Sequence, residues 1–165
     1  MKLGIISDTH DHVPHIQTAV RKFSDLQVDT ILHAGDYCSP FTIPHFEGFS
    51  LIGVFGNNDG DHFRLIQQFR NINAEIHNEF HEVKLGGRQI ALYHGTREPI
   101  TEALVKCGKY DLVISGHIHT PINENHGDTL AFNPGSAHGF DNTPTVGVYD
   151  TEAHKAEIIE LTLLK

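Results

Sequence analysis

The sequence predicts an α/β domain with mixed sheets and helices covering their outer faces, and three observations predict it. Short apolar runs rich in β-branched residues alternate with segments of helical periodicity over the first part of the chain. A Gly86-Gly87 hairpin signal then interrupts the alternation, and from residue 129 onward the pattern is nearly all β.

Leu3-Gly4-Ile5-Ile6-Ser7 reads as a buried strand. Val13, Ile16, Ala19, Val20 and Phe23 then recur at helical spacing and predict an amphipathic helix over 13–26. Thr30 to Ala34 is the second strand. A Pro-punctuated short helix near 40–47 leads to the third strand, Leu51 to Phe55, and Phe63, Ile66 and Phe69 suggest a second full helix. Phe80 to Leu85 and Arg88 to Tyr93 form the hairpin arms, a helix is expected near 98–107, and Leu112 to Ser115 is a further apolar strand. Leu130 to Phe132, Thr145 to Tyr149 and Ala156 to Leu163 complete the β-rich end. No repeat, low-complexity tract or linker divides the 165 residues, a length that suits one domain spanning 1–165.

Composition narrows the function. Hydrophobic residues at 39% and charged residues at 20% are those of a globular chain. The net charge of -9, with only 12 scattered Lys and Arg, speaks against sequence-independent nucleic-acid binding, which needs clustered cations. No apolar run approaches the ~20 residues of a membrane span, and no small-residue cleavage site follows the first apolar stretch, so a cytoplasmic protein is expected. Cys38 and Cys107 lack CxxC spacing and are expected to be reduced and mostly buried. Histidine is over-used: 14 residues, against 12 for Lys and Arg together, so their placement decides what they mean.

Polar residues able to bind metal follow the C-terminal ends of five apolar strands. They are Asp8-Thr9-His10, Gly35-Asp36, Gly56-Asn57-Asn58-Asp59, His94-Gly95 and Gly116-His117-Ile118-His119. Open α/β sheets bind ligands beyond the carboxyl ends of their strands, so one rim collects all five groups. Carboxylate, imidazole and amide donors without thiolate suit manganese, iron, nickel or zinc. Seven side chains exceed one tetrahedral zinc and fit two ions bridged by a carboxylate. Taken singly, Asp8 could be a helix N-cap, Asp36 a turn residue and Gly-Asn-Asn-Asp-Gly a plain turn. A Gly-His-x-His after a buried strand has no comparable packing purpose.

The ordered set Asp-x-His, Gly-Asp, Gly-Asn-x-Asp, His-Gly and Gly-His-x-His resembles the calcineurin-like metallophosphoesterases, from Asp8 to His119 and on into Asn133-Pro134-Gly135-Ser136. The short chain is similar to their small single-domain bacterial and archaeal phosphodiesterases, whose eukaryotic relative is the retromer scaffold subunit. The resemblance implies a four-layer α/β/β/α sandwich of two mixed sheets. It implies a first metal on Asp8, His10, Asp36 and His119, and a second on Asp36, Asn57, His94 and His117, with Asp36 bridging. It further implies two divalent ions, manganese foremost, and a hydroxide between them attacking a phosphodiester. The expected partner is a small phosphate ester, with no membrane, and a homo-oligomer is compatible.

Many relatives read Gly-Asn-His-Asp, with the third residue protonating the leaving group and the Asp orienting it. Here the corresponding pair, Asn58 and Asp59, departs from that pattern at the third position. A protein-interaction scaffold and a metal-dependent nuclease are the rival functions. Intact ligand positions weigh against the first, and the missing basic stripe against the second. His12, His15, His33, His45, His62, His77, His81, His126, His138 and His154 match no motif, although one of them could reach the site from a loop. Arg97, just past His94, is a lesser candidate for meeting phosphate, and Asn133 to Ser136 is expected to shape the rim.

Overall fold

The computed structural model describes residues 1–140 and 142–163. Its elements are β1 (Lys2–Ile6), α1 (Val13–Asp25), β2 (Thr30–His33), a 3₁₀ helix (Pro40–Phe46), β3 (Ser50–Val54), α2 (His62–Asn71), β4 (Glu75–His77) and β5 (Phe80–Leu85). They continue with β6 (Arg88–Tyr93), α3 (Glu98–Lys106), β7 (Leu112–Ile114), β8 (Ile122–His126), β9 (Thr129–Asn133), β10 (Thr145–Asp150) and β11 (Lys155–Glu160).

The strands form two mixed sheets, one in the order β11-β10-β1-β2-β3-β4 and the other β5-β6-β7-β9-β8. β1 to β4 run parallel and are extended by antiparallel β10 and β11. In the second sheet β6, β7 and β9 are parallel, with β5 and β8 antiparallel at the edges.

Strand alternation sorts the side chains into layers, because successive Cβ atoms point to opposite faces. Ile6, Ile31 and Leu51 pack outward with Ile16, Ala19 and Phe23 of α1 and Leu65 and Phe69 of α2. Their neighbours Ile5, Leu32 and Ile52 point inward and meet Ile90, Leu92, Leu112, Ile114, Leu130 and Phe132 of the other sheet. On the far side Ala91 and Val113 pack with Val105 of α3. The result is the four-layer α/β/β/α sandwich, with an apolar seam between two sheets that both end at the same rim.

Local sequence sets the boundaries. The His12 ring accepts the His15 backbone N–H at the start of α1, where Pro14 sits in the first turn, and Asp61 accepts the Arg64 N–H at the start of α2. The β5–β6 turn places Gly86 at φ +54 and Gly87 at φ +82, the left-handed pair that a tight hairpin requires.

Two strands were not legible in the sequence. β4 has three residues and a single apolar one, Ile76, and pairs only through backbone bonds to β3. β8, Ile-Asn-Glu-Asn-His, is an exposed polar edge strand whose partner β9 supplies all the burial. The last strand ends at Glu160, short of the expected Leu163. The cysteines also differ from expectation: Cys107 is exposed at the end of α3, and Cys38 is half-buried beside the rim. Among the described residues no helix is long and apolar enough to cross a membrane.

Candidate metal centre

The strand ends carry their polar residues to one place. Asp8 follows β1, Asp36 follows β2 and Asn57 follows β3, all in the six-stranded sheet. His94 follows β6, and His117 and His119 follow β7, in the five-stranded one. The rim is built of backbone that ordinary residues avoid. Asp8 (φ +52), His10 (φ +38), Asp36 (φ +59), His117 (φ +68) and His119 (φ +57) all lie in the left-handed region. Such conformations cost energy and survive where the surroundings over-determine them. Here the surroundings include the Asp8 N–H on the Gly35 carbonyl (3.0 Å) and the His10 N–H on the Asp36 carbonyl (3.1 Å). Gly56 permits a close approach, since a Cβ there would sit 2.2 Å from Asp36 Oδ1.

Within this frame the donor atoms face one another. His10 Nε2 lies 3.7 Å from Asp8 Oδ1 and 3.5 Å from Asp36 Oδ2. His119 Nε2 lies 3.3 Å from Asp8 Oδ1, and His94 Nε2 lies 3.4 Å from Asp36 Oδ2 and 3.0 Å from Asn57 Oδ1. The His117 ring meets the His94 ring edge-on, centroids 5.3 Å apart, and its backbone N–H donates to Asp8 Oδ2 (3.0 Å). Asp36 Oδ2 therefore faces both His10 and His94.

The chemistry of the set fits divalent cations. Donors around one ion at ~2.1 Å lie about 3.0 Å apart at right angles and about 3.4 Å apart at tetrahedral ones, close to the spacings seen here. Asp8 Oδ1 and His10 Nε2 are buried with no hydrogen-bond partner. His94 is more telling. Its Nδ1–H donates to the Ala34 carbonyl at 2.7 Å, which leaves the lone pair of a neutral ring on Nε2. That lone pair faces a carboxylate oxygen and an amide oxygen. A proton or a metal ion between them would satisfy all three acceptors.

Electrostatics follow from the same geometry. Burial disfavours the Asp8 charge, but the facing rings of His10 and His119 outweigh it and hold the carboxyl far below its usual range. Burial likewise opposes the Asp36 charge, and the bond from His94 overcomes it. The neighbouring Asp8 carboxylate raises His10. For His94, burial pulls downward, yet Asp36 prevails and raises it. In the metal-free protein these pairings stabilise the fold below the unfolded-chain histidine pKa of ~6.5, and the stabilisation is lost as pH rises through the raised folded values. A divalent ion displaces the same protons, so its binding strengthens over that rise. Calorimetry on chelator-treated protein, with and without Mn²⁺, should show a metal-induced gain in Tm that grows between about pH 6 and 8. A gain that stays flat would remove His10 and His94 from the ligand set.

Asn58 and Asp59 take different places. Asn58 donates its backbone N–H to Asp36 Oδ1 (2.8 Å) and its amide Nδ2 to Asp36 Oδ2 (2.7 Å), while remaining exposed at the mouth. Asp59 is buried. Its carboxylate accepts the backbone N–H groups of Asp36 (3.0 Å), Gly56 (2.7 Å) and Cys38 (2.8 Å), tying the β2 and β3 loops together. Cys38 Sγ lies 3.3 Å from His10 Nδ1, and burial with Asp11 nearby pushes its thiol up to about 12, so it is no nucleophile. Arg97 caps α3 with its backbone, and its side chain is exposed.

Most unassigned histidines are structural. His33 is fully buried, pushed down to about 3 by that burial, and accepts the Gly35 N–H. His77 and His81 stack on each other, and His154 meets the Tyr149 hydroxyl. His138 is the exception. It is buried at 2% exposure, with its ring against those of His10 and His119. The sequence signal was its position two residues past Asn133-Pro134-Gly135-Ser136. That loop pairs with the end of β1 through Ala137 N–H to Ser7 O (3.0 Å) and His138 N–H to Asp8 O (3.1 Å).

Comparison with known proteins shows the family of the chain. The family model for the calcineurin-like phosphoesterase superfamily domain matches residues 1–154. A phosphodiesterase of Methanocaldococcus jannaschii is 40% identical over 99% of both chains. A probable metallophosphoesterase of Methanothermobacter thermautotrophicus is 33% identical over 82% of this chain and 77% of its own. Among solved structures, an archaeal phosphodiesterase superimposes with a TM-score of 0.93 at 38% identity, covering 98% of this chain and all of its own. Vps29 of Entamoeba histolytica, solved with zinc, shares the fold at a TM-score of 0.67 and 21% identity, over 98% of this chain and 100% of its own.

Proposed function

The chain belongs to the calcineurin-like phosphoesterase superfamily, and we propose that it is a phosphodiesterase acting on a small diester with two divalent ions, manganese foremost. The observation that carries the two-ion reading is Asp36. One buried carboxylate oxygen lies within 3.5 Å of both His10 Nε2 and His94 Nε2, two histidines carried by different sheets. Asp8, His10, Asp36 and His119 would hold the first ion, and Asp36, Asn57, His94 and His117 the second. When bound, the ions neutralise the phosphoryl oxygens and supply an attacking hydroxide at neutral pH.

The chain's own residues do the rest. Asp59 fixes the two loops that carry Asp36 and Asn57, so the donors are held before substrate arrives. The Ala34 carbonyl fixes the His94 tautomer, and Ser7 and the His117 N–H hold Asp8 Oδ2 so that Oδ1 faces the histidines. Asn58 stands exposed at the mouth, where its amide can turn from Asp36 to a phosphate oxygen. The thiols Cys38 and Cys107 are free, which suits a reducing compartment such as cytoplasm.

The test is to strip the protein, reload it with Mn²⁺, Ni²⁺, Fe²⁺ or Zn²⁺, and measure ion content and turnover of an aryl phosphodiester, an aryl phosphomonoester and duplex DNA. Two ions per chain with diester turnover is the expected result. Bound ions without turnover of any ester would favour a scaffold, and cleavage of DNA would favour a nuclease.

A further inference from the structure

On the outer face of the five-stranded sheet, α3 packs on β7 and β9, and β8 lies beyond them at the edge. One face of β8 turns toward the other sheet, where Asn123 Nδ2 donates to the Ala156 carbonyl on β11 (2.8 Å). Strand alternation puts Ile122, Glu124 and His126 on the opposite face. Between that face and α3 runs a groove of about 670 Å³. Small-molecule sites usually occupy about 300–1,000 Å³.

The more buried part of its lining is apolar: Val105 and Ala131, which pack with the core beneath α3. Glu102 and Lys106 line it from α3, and Ile122, Glu124 and His126 from β8. The groove also reaches the candidate metal centre. Gly116 and His117 belong to its lining, and Ile118 beside them leaves its apolar side chain 51% exposed there. The cations of the lining are already engaged, Lys106 with Glu102 and His126 Nε2 with Glu124 at 3.6 Å. An anionic group entering the groove would meet no free cation and would face Glu98 as well.

We propose that this groove is a substrate subsite: it receives one ester substituent of the diester and selects an uncharged, largely apolar group. The proposal rests on the phosphodiesterase reading of the metal centre and adds the chemistry of the substituent to it. Continuity carries it, since His117 belongs both to the ligand set and to the groove lining, so a phosphate held at the second ion has the groove beside it. Val105, Ile122 and Ala131, which give the groove its apolar character, lie outside every strand-end motif. Burying one aryl ring there is worth about 10–100-fold in affinity.

Symmetrical diesters test this without regard to which substituent enters: dimethyl, diphenyl and bis(4-carboxyphenyl) phosphate. Each is measured as a competitive inhibitor of bis(4-nitrophenyl) phosphate turnover by the Mn²⁺-loaded protein. Ala131→Leu narrows the groove from its buried side, and Ile122→Asp places a charge on the β8 side, with the Tm of each variant as a folding control. Diphenyl phosphate is expected to bind the wild type about 10–100-fold more tightly than either of the other two. Both variants should lose most of that advantage and leave the inhibition by dimethyl phosphate unchanged. A second readout needs neither metal nor turnover. Phenol titrated into the isotope-labelled, metal-free protein should shift the backbone amide signals of Ile122, Glu124 and Ala131. Diphenyl phosphate binding no tighter than dimethyl phosphate, or an advantage that survives in the variants, overturns the subsite; should one variant fail to fold, the other decides. Equal binding of diphenyl and bis(4-carboxyphenyl) phosphate overturns the selection for an uncharged group. If no diester is turned over, it is the phosphodiesterase reading that fails, and phenol that leaves the three signals unmoved then overturns the groove separately.

Discussion

Replacing Asp36 by asparagine is expected to lower diester turnover by at least about two to three orders of magnitude and to reduce bound metal from two ions to at most one. The side chain keeps its shape and loses the property on which the centre depends. Asp36 is 1% exposed, and its two oxygens take the Asn58 N–H, the Asn58 amide and the facing nitrogens of His10 and His94. An amide offers one acceptor oxygen, so one of these donors would meet an NH₂ group. Even without metal the change has a signature. His94 is raised chiefly against burial by its bond to Asp36, and Asp36 also helps to raise His10, so both values should fall. The loss of metal-free stability with rising pH should flatten accordingly. Elemental analysis, turnover and the pH dependence of Tm report on the same substitution independently. Two ions held at wild-type affinity with full turnover would exclude Asp36 as the bridge.

The parts of the centre that sequence reveals are those that covalent order alone prescribes. A strand followed at once by a short polar motif has its side chains delivered to the rim whatever the rest of the chain does. Asp8, Asp36, Asn57, His94 and the pair His117 and His119 all stand in that position. The hairpin at Gly86-Gly87 and the amphipathic helix after β1 were legible for the same reason, since their patterns are local. β8 was not, because it is an edge strand whose residues bury almost nothing and so carry no alternation. The role of Asp59 was equally hidden. Gly-Asn-x-Asp shows a carboxylate next to Asn58, but its partners are backbone N–H groups on two separate loops, including Asp36 and Cys38, more than twenty residues away. The placement of His138 depends on a tertiary pairing between the segment after Ser136 and the end of β1.

Aryl diesters are expected to be hydrolysed far faster than alkyl diesters, and Asn58→His to narrow the gap chiefly by accelerating the alkyl ones. The position is suited to substrate contact. Asn58 is exposed, and its amide reaches the Asp36 carboxylate at 2.7 Å. Asparagine can donate a hydrogen bond to a phosphate oxygen but cannot give up a proton near neutral pH. A departing aryloxide needs little help, whereas a simple alkoxide leaves slowly unless it is protonated in the transition state. General acid assistance is typically worth about 10²–10⁴-fold, and the alkyl substrates forgo it. Asp59 would not interfere with an imidazole at 58, because its carboxylate is occupied by three backbone N–H groups and stays with the loops. The introduced ring should add a pH dependence near ~6.5 to the alkyl rate and little to the aryl one. Metal content measured alongside separates this effect from any loosening of Asp36. Equal wild-type rates on aryl and alkyl esters would show that another group delivers the proton. In that case Asn58→His would leave the ratio unchanged.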